Sequence, residues 1–146
     1  MAKIRYLTGT PVLRAKQGDV NTLVLQEAFT VLDKRGRRWH VPAGFETDGA
    51  SIPSFLTPII GDPFNGVTLP AAIIHDYYCV HKTRSQKDTH RIFRELIYHE
   101  MKRNEKYGWI RYPWNMHNGK LWQYQRCKLM WAAVRSYNRV KNPSWK

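Results

Sequence analysis

The spacing of apolar positions changes near the middle of the chain. In the first part, short apolar segments alternate with turns. Leu23 to Leu25 precedes Phe29 to Leu32, and a charged turn over residues 33–36 leads into residues 38–41. An aspartate early and a glycine late in such a turn are typical of a β-hairpin. Two further short strands are expected over residues 4–7 and 11–15. Residues 1–43 are therefore predicted to be mainly β.

The second part has helical periodicity. Thr68 is a suitable N-cap and Pro70 suits an early helical position, so a helix is expected to run to about His81. Ser85 and Asp88 resemble a capping box, and they open a second helix. Its apolar positions form the stripe of a buried face, namely Ile92, Phe93, Leu96, Ile97 and Met101. A third helix is predicted from Leu121 to about Val140.

Between these parts, residues 44–67 are rich in glycine and proline and are predicted to form a long loop. A loop of this length in a compact domain is usually functional or heavily packed. The predicted fold class is α+β in a single domain over residues 1–146. It has a small N-terminal antiparallel sheet, this Gly/Pro-rich loop, and a three-helix C-terminal half over residues 68–141.

Composition and charge narrow the functional classes. The 42% hydrophobic and 13% aromatic content exclude a disordered chain, and two cysteines are too few for a disulfide scaffold. No apolar run is long enough to span a membrane, and the N-terminus lacks the features of a signal peptide.

The basic charge is concentrated in the last third. Residues 102–146 contain 11 Lys and Arg but only one acid, Glu105, within a formal net charge of +13 for the chain. Arginine and lysine alternate with aromatic residues there, which is typical of nucleic-acid surfaces, protein interfaces and membrane-surface helices alike. The predicted partner surface comprises Arg111, Trp114, Lys120, Trp122, Arg126, Lys128, Arg135 and Arg139.

The candidate chemistry lies in the two central helices. His75 and Asp76 interrupt an apolar helix, and burying them without partners would be costly. A short turn joins this helix to the next, so a contact between His75 and Asp88 across the hairpin is expected. A histidine oriented by a carboxylate is suited to general-base catalysis, and equally to metal binding. Alternatively, Asp76 and Asp88 serve only to cap helices or to fix the loop.

A divalent metal ion is a second expectation. Asp48 precedes Gly49, where the backbone permits close approach, and carboxylates are hard ligands. The predicted metal ligands are Asp48, Asp76 and His75, with calcium or zinc as the ion. Cys79 follows His75 by one helical turn and is expected to be a packed core cysteine.

Two motifs resemble a known family. Residues 41–53, VPAGFETDGASIP, and residues 71–77, AAIIHDY, are similar to the small bacteriophage and prophage proteins of the domain-of-unknown-function family numbered 1353. The resemblance extends through Asp88 and Phe93 to residues 131–135, WAAVR. It implies a phage origin and supplies no established activity. The expected location is therefore the cytoplasm of the infected bacterium or the phage particle.

A more distant resemblance concerns the helical hairpin alone. A helix with His-Asp, paired with a helix carrying an inward aspartate, is similar to that of secreted calcium-dependent phospholipases. It implies His75 as the base, Asp76 as a calcium ligand and Asp88 as the residue that orients the histidine. The leading hypothesis is a phage-encoded, metal-assisted hydrolase acting on a cell-envelope or phosphodiester substrate. The alternative is a non-enzymatic virion, tail or assembly component whose C-terminal third binds other phage proteins or nucleic acid.

Overall fold

The structure, a computed structural model, describes residues 2–47, 68–106, 129, 131–137, 139–141 and 143–145. The first range contains six strands, which are β1 (Arg5–Tyr6), β2 (Leu13–Lys16), β3 (Asp19–Leu25), β4 (Phe29–Leu32), β5 (Arg38–Val41) and β6 (Glu46–Thr47). The second contains two helices, α1 (Leu69–His81) and α2 (Gln86–Lys106). The α+β class predicted from the sequence is confirmed.

The strands form two three-stranded antiparallel sheets, ordered β1-β4-β5 and β2-β3-β6. The predicted hairpin joins β4 and β5, with Leu32 opposite Arg38. Its turn ends at Gly36, whose φ of 75° favours glycine. The prediction of one sheet within residues 1–43 is wrong in two respects, because the strands divide between two sheets and β6 lies beyond residue 43. Two-residue strands such as β6 are too short to show an alternating pattern.

Both bounds of α1 and the beginning of α2 lie where the sequence predicts. Thr68 occupies the N-cap of α1, and Lys82 ends it with a left-handed φ of 52° and an N–H that donates to the Tyr78 carbonyl. Ser85 caps α2 through its hydroxyl, which accepts from the Asp88 N–H at 3.2 Å. The four residues between the helices form the short connection of a helical hairpin, so α1 and α2 pack against each other.

The core lies between this hairpin and the β1-β4-β5 sheet. Fully or almost fully buried side chains from the sheet include Phe29, Val31 and Trp39, and they belong to one cluster with the apolar residues of α1 and α2. The predicted stripe of α2 is buried throughout, consisting of Ile92, Phe93, Leu96, Ile97 and Met101. Val134 joins the same cluster from the C-terminal part of the chain.

The C-terminal residues that the structure describes extend this packing. Residues 131–137 and 139–141 are helical, in agreement with the end of the predicted third helix. Trp145 is buried, and its indole Nε1 donates to the carbonyl oxygen of Arg84 at 3.0 Å. Residues 44–67 were predicted to form one long loop, but residues 46–47 of this range form β6. The rest of that range from residue 48 onward, and the first part of the predicted third helix, lie outside the described residues. In the described part of the chain, no helix is long and apolar enough to cross a membrane.

Candidate functional site

Two histidines meet at the interface of α1 and α2. His75 is completely buried, and its Nε2 lies 3.1 Å from Nδ1 of His90. The rings stack with centroids 5.1 Å apart, and Phe93 packs against His75 at 4.9 Å. The hairpin places the two histidines together because His75 precedes the turn by about as many residues as His90 follows it. We call His75 and His90 the histidine pair.

The predicted contact between His75 and Asp88 is wrong. The partner of His75 on α2 is His90, whereas the Asp88 carboxylate accepts two hydrogen bonds from Arg37, at 2.9 and 2.7 Å. A step of two residues along a helix rotates a side chain by about 200°. Asp88 therefore lies toward the sheet, at the edge of the buried stripe, while His90 faces α1. Asp88 consequently does not orient His75.

Asp88 belongs to an ionic cluster that connects the β4–β5 turn to α2. We call Asp33, Arg37, Asp88, Arg91 and Glu95 the ionic network. The Arg91 guanidinium donates to Asp33 at 3.1 Å and lies 3.4 Å from Asp88 and 3.5 Å from Glu95. The hydrogen bonds from Arg37 hold the pKa of Asp88 below its ordinary value. These contacts give Asp88 a structural role in anchoring the turn to the helix.

Asp33 is the centre of the ionic network and its side chain is fully buried. Its carboxylate accepts hydrogen bonds from the backbone N–H groups of Arg35 and Arg37 and from the Trp39 indole. Burial alone would raise the pKa of Asp33, but the hydrogen bonds from Trp39 and from the two backbone groups outweigh it and lower that pKa. Asp33 is therefore ionised and saturated with donors. The sequence identifies Asp33 only as a turn residue, and it gives no sign that Asp33 is the centre of the ionic network.

The Asp76 carboxylate lies beside Thr47, at the end of β6. Its Oδ2 accepts a hydrogen bond from the Thr47 hydroxyl at 2.6 Å, and its Oδ1 lies 3.8 Å from His75 Nδ1. Asp48 follows Thr47 directly but lies outside the described residues. The His75–Asp76–Asp48 metal site therefore remains a prediction. Within the described ranges, no group of three or more His, Cys, Asp or Glu side chains lies where it could hold a metal ion.

Cys79 contacts the histidine pair from α1. Its Sγ lies 3.5 Å from both ring nitrogens of His75, one turn away as the spacing predicts. Burial, together with the charge of Asp76, raises the pKa of the Cys79 thiol to about 12. The residue is therefore a neutral thiol at physiological pH and not a thiolate nucleophile.

His90 is neutral for a similar reason. Burial, together with its neighbour His75 and the guanidinium groups of Arg135 and Arg139, lowers its pKa to about 3. The second ring nitrogen of His90, Nε2, is buried and has no hydrogen-bond partner among the described residues. Because Nδ1 faces His75, Nε2 points away from α1. No sequence motif surrounds His90, and only the packing of the hairpin identifies its face.

Gln86 and Trp145 complete the surroundings of His90. Gln86 precedes His90 by one helical turn on α2. Its amide nitrogen is likewise buried and has no hydrogen-bond partner in the described part of the chain. The Trp145 ring lies 6.2 Å from the His90 ring and covers this end of the hairpin. Both residues were missed by sequence reasoning, because a tryptophan next to the C-terminus carries no signal of where it packs.

The described portion of the basic surface contains stacked cations. The Trp131 ring is flanked by Arg94 of α2 at 5.3 Å and by Arg135 at 5.0 Å. Lys141 similarly lies 5.3 Å from the Tyr137 ring. The other predicted surface residues lie outside the described residues, namely Arg111, Trp114, Lys120, Trp122, Arg126 and Lys128. Of the predicted surface residues, Arg135 and Arg139 lie within the described part of the chain.

Comparisons with known proteins place the chain in a family. A family model described as "Protein of unknown function (DUF1353)" matches residues 23–113. The chain is 38% identical over 121 residues to "Uncharacterized protein y4jT" of Sinorhizobium fredii (strain NBRC 101917 / NGR234), covering 83% of this chain and 29% of that protein. It is 41% identical over 80 residues to "Uncharacterized protein y4iH" of the same strain, covering 55% and 34%.

The chain thus spans about a third of the length of these two relatives. No solved structure matches it. The family model covers both motifs on which the resemblance rests, the VPAGFETDGASIP segment and the helix with His75 and Asp76. The chain belongs to the DUF1353 family.

Proposed function

We propose that the chain is a non-enzymatic binding protein whose C-terminal basic surface contacts the phosphates of a nucleic acid. The observation that carries this proposal is the pair of arginines stacked on Trp131. A guanidinium held against an aromatic face keeps its N–H donors at the edge, where they can bind phosphate oxygens. Its side chain is already ordered, so binding loses less conformational entropy than it would for a free arginine.

The charge balance supports the same proposal. Within the described part of the chain, no carboxylate pairs with Arg135 or Arg139, whereas Arg37 and Arg91 are committed to the ionic network. The positive charges of Arg135 and Arg139 are therefore not neutralised by the carboxylates that the structure describes, and they belong to a segment with an excess of basic residues. Such a surface favours a polyanion and attracts it at long range.

His90 and Cys79, which both contact His75, do not have pKa values suited to chemistry near neutral pH. His90 has a pKa of about 3, and Cys79 has one of about 12. An efficient general acid or base has a pKa close to the operating pH. His75 is completely buried and its Nε2 already faces His90. These properties favour binding over catalysis.

The test is fluorescence anisotropy with labelled single-stranded and double-stranded oligonucleotides. We expect binding to weaken linearly on a logarithmic scale between about 50 and 200 mM salt. Arg135→Gln and Arg139→Gln should each reduce the salt slope by about one unit. Arg14→Gln, which removes the same charge from an exposed position of β2, is the matched control and should leave the slope unchanged. Salt-insensitive binding, or equal effects of all three variants, would contradict the proposal.

A second candidate is the predicted metal-assisted hydrolase, with His75 as base or ligand and Asp48 and Asp76 as metal ligands. It is favoured by the hydrogen bond between the Thr47 hydroxyl and the buried Asp76 carboxylate, because Thr47 directly precedes Asp48 in the chain. Metal-dependent thermal shifts with calcium and zinc test it, using Asp48→Asn and His75→Ala beside the wild type. A rise in Tm that both variants lose supports the metal site. No rise, with both variants destabilised, makes the cluster structural. The phage context implied by the family resemblance remains a prediction.

A further inference from the structure

We propose that the C-terminal basic surface binds double-stranded rather than single-stranded nucleic acid, with Arg94 of α2 as one of its phosphate contacts. The inference rests on the proposed nucleic-acid function and names the form of the partner. Surfaces rich in arginine and aromatic residues bind single strands by stacking their rings on the bases, whereas duplexes are held mainly through their phosphates. The surroundings of the rings therefore distinguish the two forms.

The first argument is that the Trp131 ring is already covered by cations. The guanidinium groups of Arg94 and Arg135 lie over this ring, with their Cζ atoms 5.3 and 5.0 Å from its centroid. The Trp131 side chain is also partly buried. A base that stacked on the ring would compete with these cations and with their cation–π attraction. Trp131 thus orders two phosphate-binding groups and is not an open platform for a base.

The Tyr137 ring is occupied in the same way. The Lys141 ammonium lies 5.3 Å from the ring centroid and donates a hydrogen bond to the Tyr137 hydroxyl at 3.1 Å. Trp131 and Tyr137 are the aromatic residues that the structure describes between residues 131 and 141. Each of these rings therefore holds a cation, which is the arrangement expected where aromatic side chains position charges for phosphates.

The second argument is that guanidinium groups from two helical segments reach one surface. Arg135 follows Trp131 by one helical turn, and Arg139 follows Arg135 at the same spacing of four residues. Arg94 reaches the Trp131 ring from α2 and, like Arg139, is exposed. Cations that are ordered in advance lose little entropy when they bind a partner whose phosphates are themselves fixed, as in a duplex. A flexible single strand gains less from this order.

The third argument is charge density. A duplex carries one charge per about 1.7 Å of its axis, of which each strand alone contributes one per about 3.4 Å. Each phosphate contact accordingly contributes about 0.9 to the logarithmic salt slope on a duplex and about 0.7 on a single strand. A surface that acts through arginines rather than through base stacking therefore binds the duplex more tightly at low salt.

The test compares one labelled DNA strand, alone and annealed to its complement, by fluorescence anisotropy with the wild-type protein. At about 50 mM salt we expect the duplex to bind about fivefold more tightly, because each of the three arginine contacts counts more on a duplex. The salt slope should be steeper for the duplex for the same reason. This comparison requires no variant, so it does not depend on the folding of any substituted protein.

Arg94 and Trp131 are then substituted. Arg94→Gln should lower the duplex salt slope by about one unit, and Arg94→Lys, which keeps the charge, should retain it. Arg14→Gln, at the exposed position of β2, is again the matched control. Trp131→Leu should not weaken single-strand binding more than duplex binding, because no base stacks on the ring. Loss of a stacked base would instead weaken single-strand binding selectively, by about fivefold or more.

The outcomes separate this inference from the proposed function. A single strand that binds as tightly as the duplex, or that Trp131→Leu weakens selectively, would overturn the inference and leave the nucleic-acid surface in place. An Arg94→Gln variant with the wild-type salt slope would remove Arg94 from the phosphate contacts. If neither form of DNA binds, the proposed function is refuted, and this inference with it.

Discussion

The ionic network and the histidine pair are both polar clusters on α2, but they differ in how their charges are compensated. In the ionic network, every charge has an oppositely charged partner, and Asp33 also receives two backbone N–H groups and an indole. In the histidine pair, burial keeps His90 neutral. Each cluster has one buried nitrogen without a hydrogen-bond partner among the described residues, Arg91 Nε in the network and His90 Nε2 in the pair.

This difference separates stability from pH dependence. A buried carboxylate that is saturated with donors stabilises the fold, and its loss leaves several groups without a partner at once. A buried neutral histidine instead resists protonation, because burial penalises its charged form. We therefore expect substitutions in the ionic network to act on stability, and substitution of His90 to act on how stability depends on pH.

The largest expected effect is that of Asp33→Ala. The substitution leaves the Trp39 indole and the Arg91 guanidinium without their buried acceptor, so we expect a loss of about 3–5 kcal/mol in the free energy of unfolding. Urea denaturation measures it. Asp19→Ala, at an exposed position of β3, is the control and should cost less than about 1 kcal/mol. Similar losses for the two variants would contradict the central position of Asp33.

The second effect is acid destabilisation through His90. Its pKa is about 3 in the folded protein and about 6.5 when unfolded. Below pH 6.5 the unfolded state binds a proton that the folded state refuses, so stability falls as the pH decreases. Between pH 6.5 and 5 the loss should be about 2 kcal/mol.

Urea denaturation of His90→Gln over this pH range is the measurement, and its slope should be smaller than that of the wild type. His99→Gln is the comparison, because burial lowers the pKa of His99 as well. Asp33 and Asp88, whose pKa values are lowered, contribute stability that is lost only as the pH falls below about 4. If the free energy of unfolding of His90→Gln depends on pH as steeply as that of the wild type, the pKa of His90 is not lowered in the folded protein.

A smaller effect is expected for Asp88→Asn. Its two hydrogen bonds with Arg37 are partly exposed, so their loss should cost about 1 kcal/mol and lower Tm by about 2–4 °C. The NMR chemical shifts of the His75 ring should not change, because Asp88 does not contact it. Altered His75 ring shifts would instead support the carboxylate–histidine contact expected from the spacing.

The smallest effect is expected at the Lys16–Glu46 ion pair between β2 and β6. Both side chains are nearly half exposed, at 45% and 48%. Lys16→Met should therefore change the free energy of unfolding by less than about 1 kcal/mol, and the effect should diminish with added salt. A loss as large as that of Asp88→Asn would mean that exposure does not govern the strength of these pairs.

Local patterns predicted most of the elements. The Asp–Gly turn identified the β4–β5 hairpin, and the apolar stripe with its Ser85 cap identified α2. The same periodicity could not predict which polar side chain faces α1, since Asp88 and His90 lie two residues apart near the edge of the stripe. The contact between Asp33 and Arg91 and the position of Trp145 depend on long-range packing, for which a single sequence has no local signal.

The most direct test of a neutral His90 is NMR of the ¹⁵N-labelled histidine side chains of the wild type between pH 4 and 8. We predict that His90 remains neutral throughout this range, because burial lowers its pKa to about 3. A His90 resonance that titrates near pH 6.5 would contradict the account.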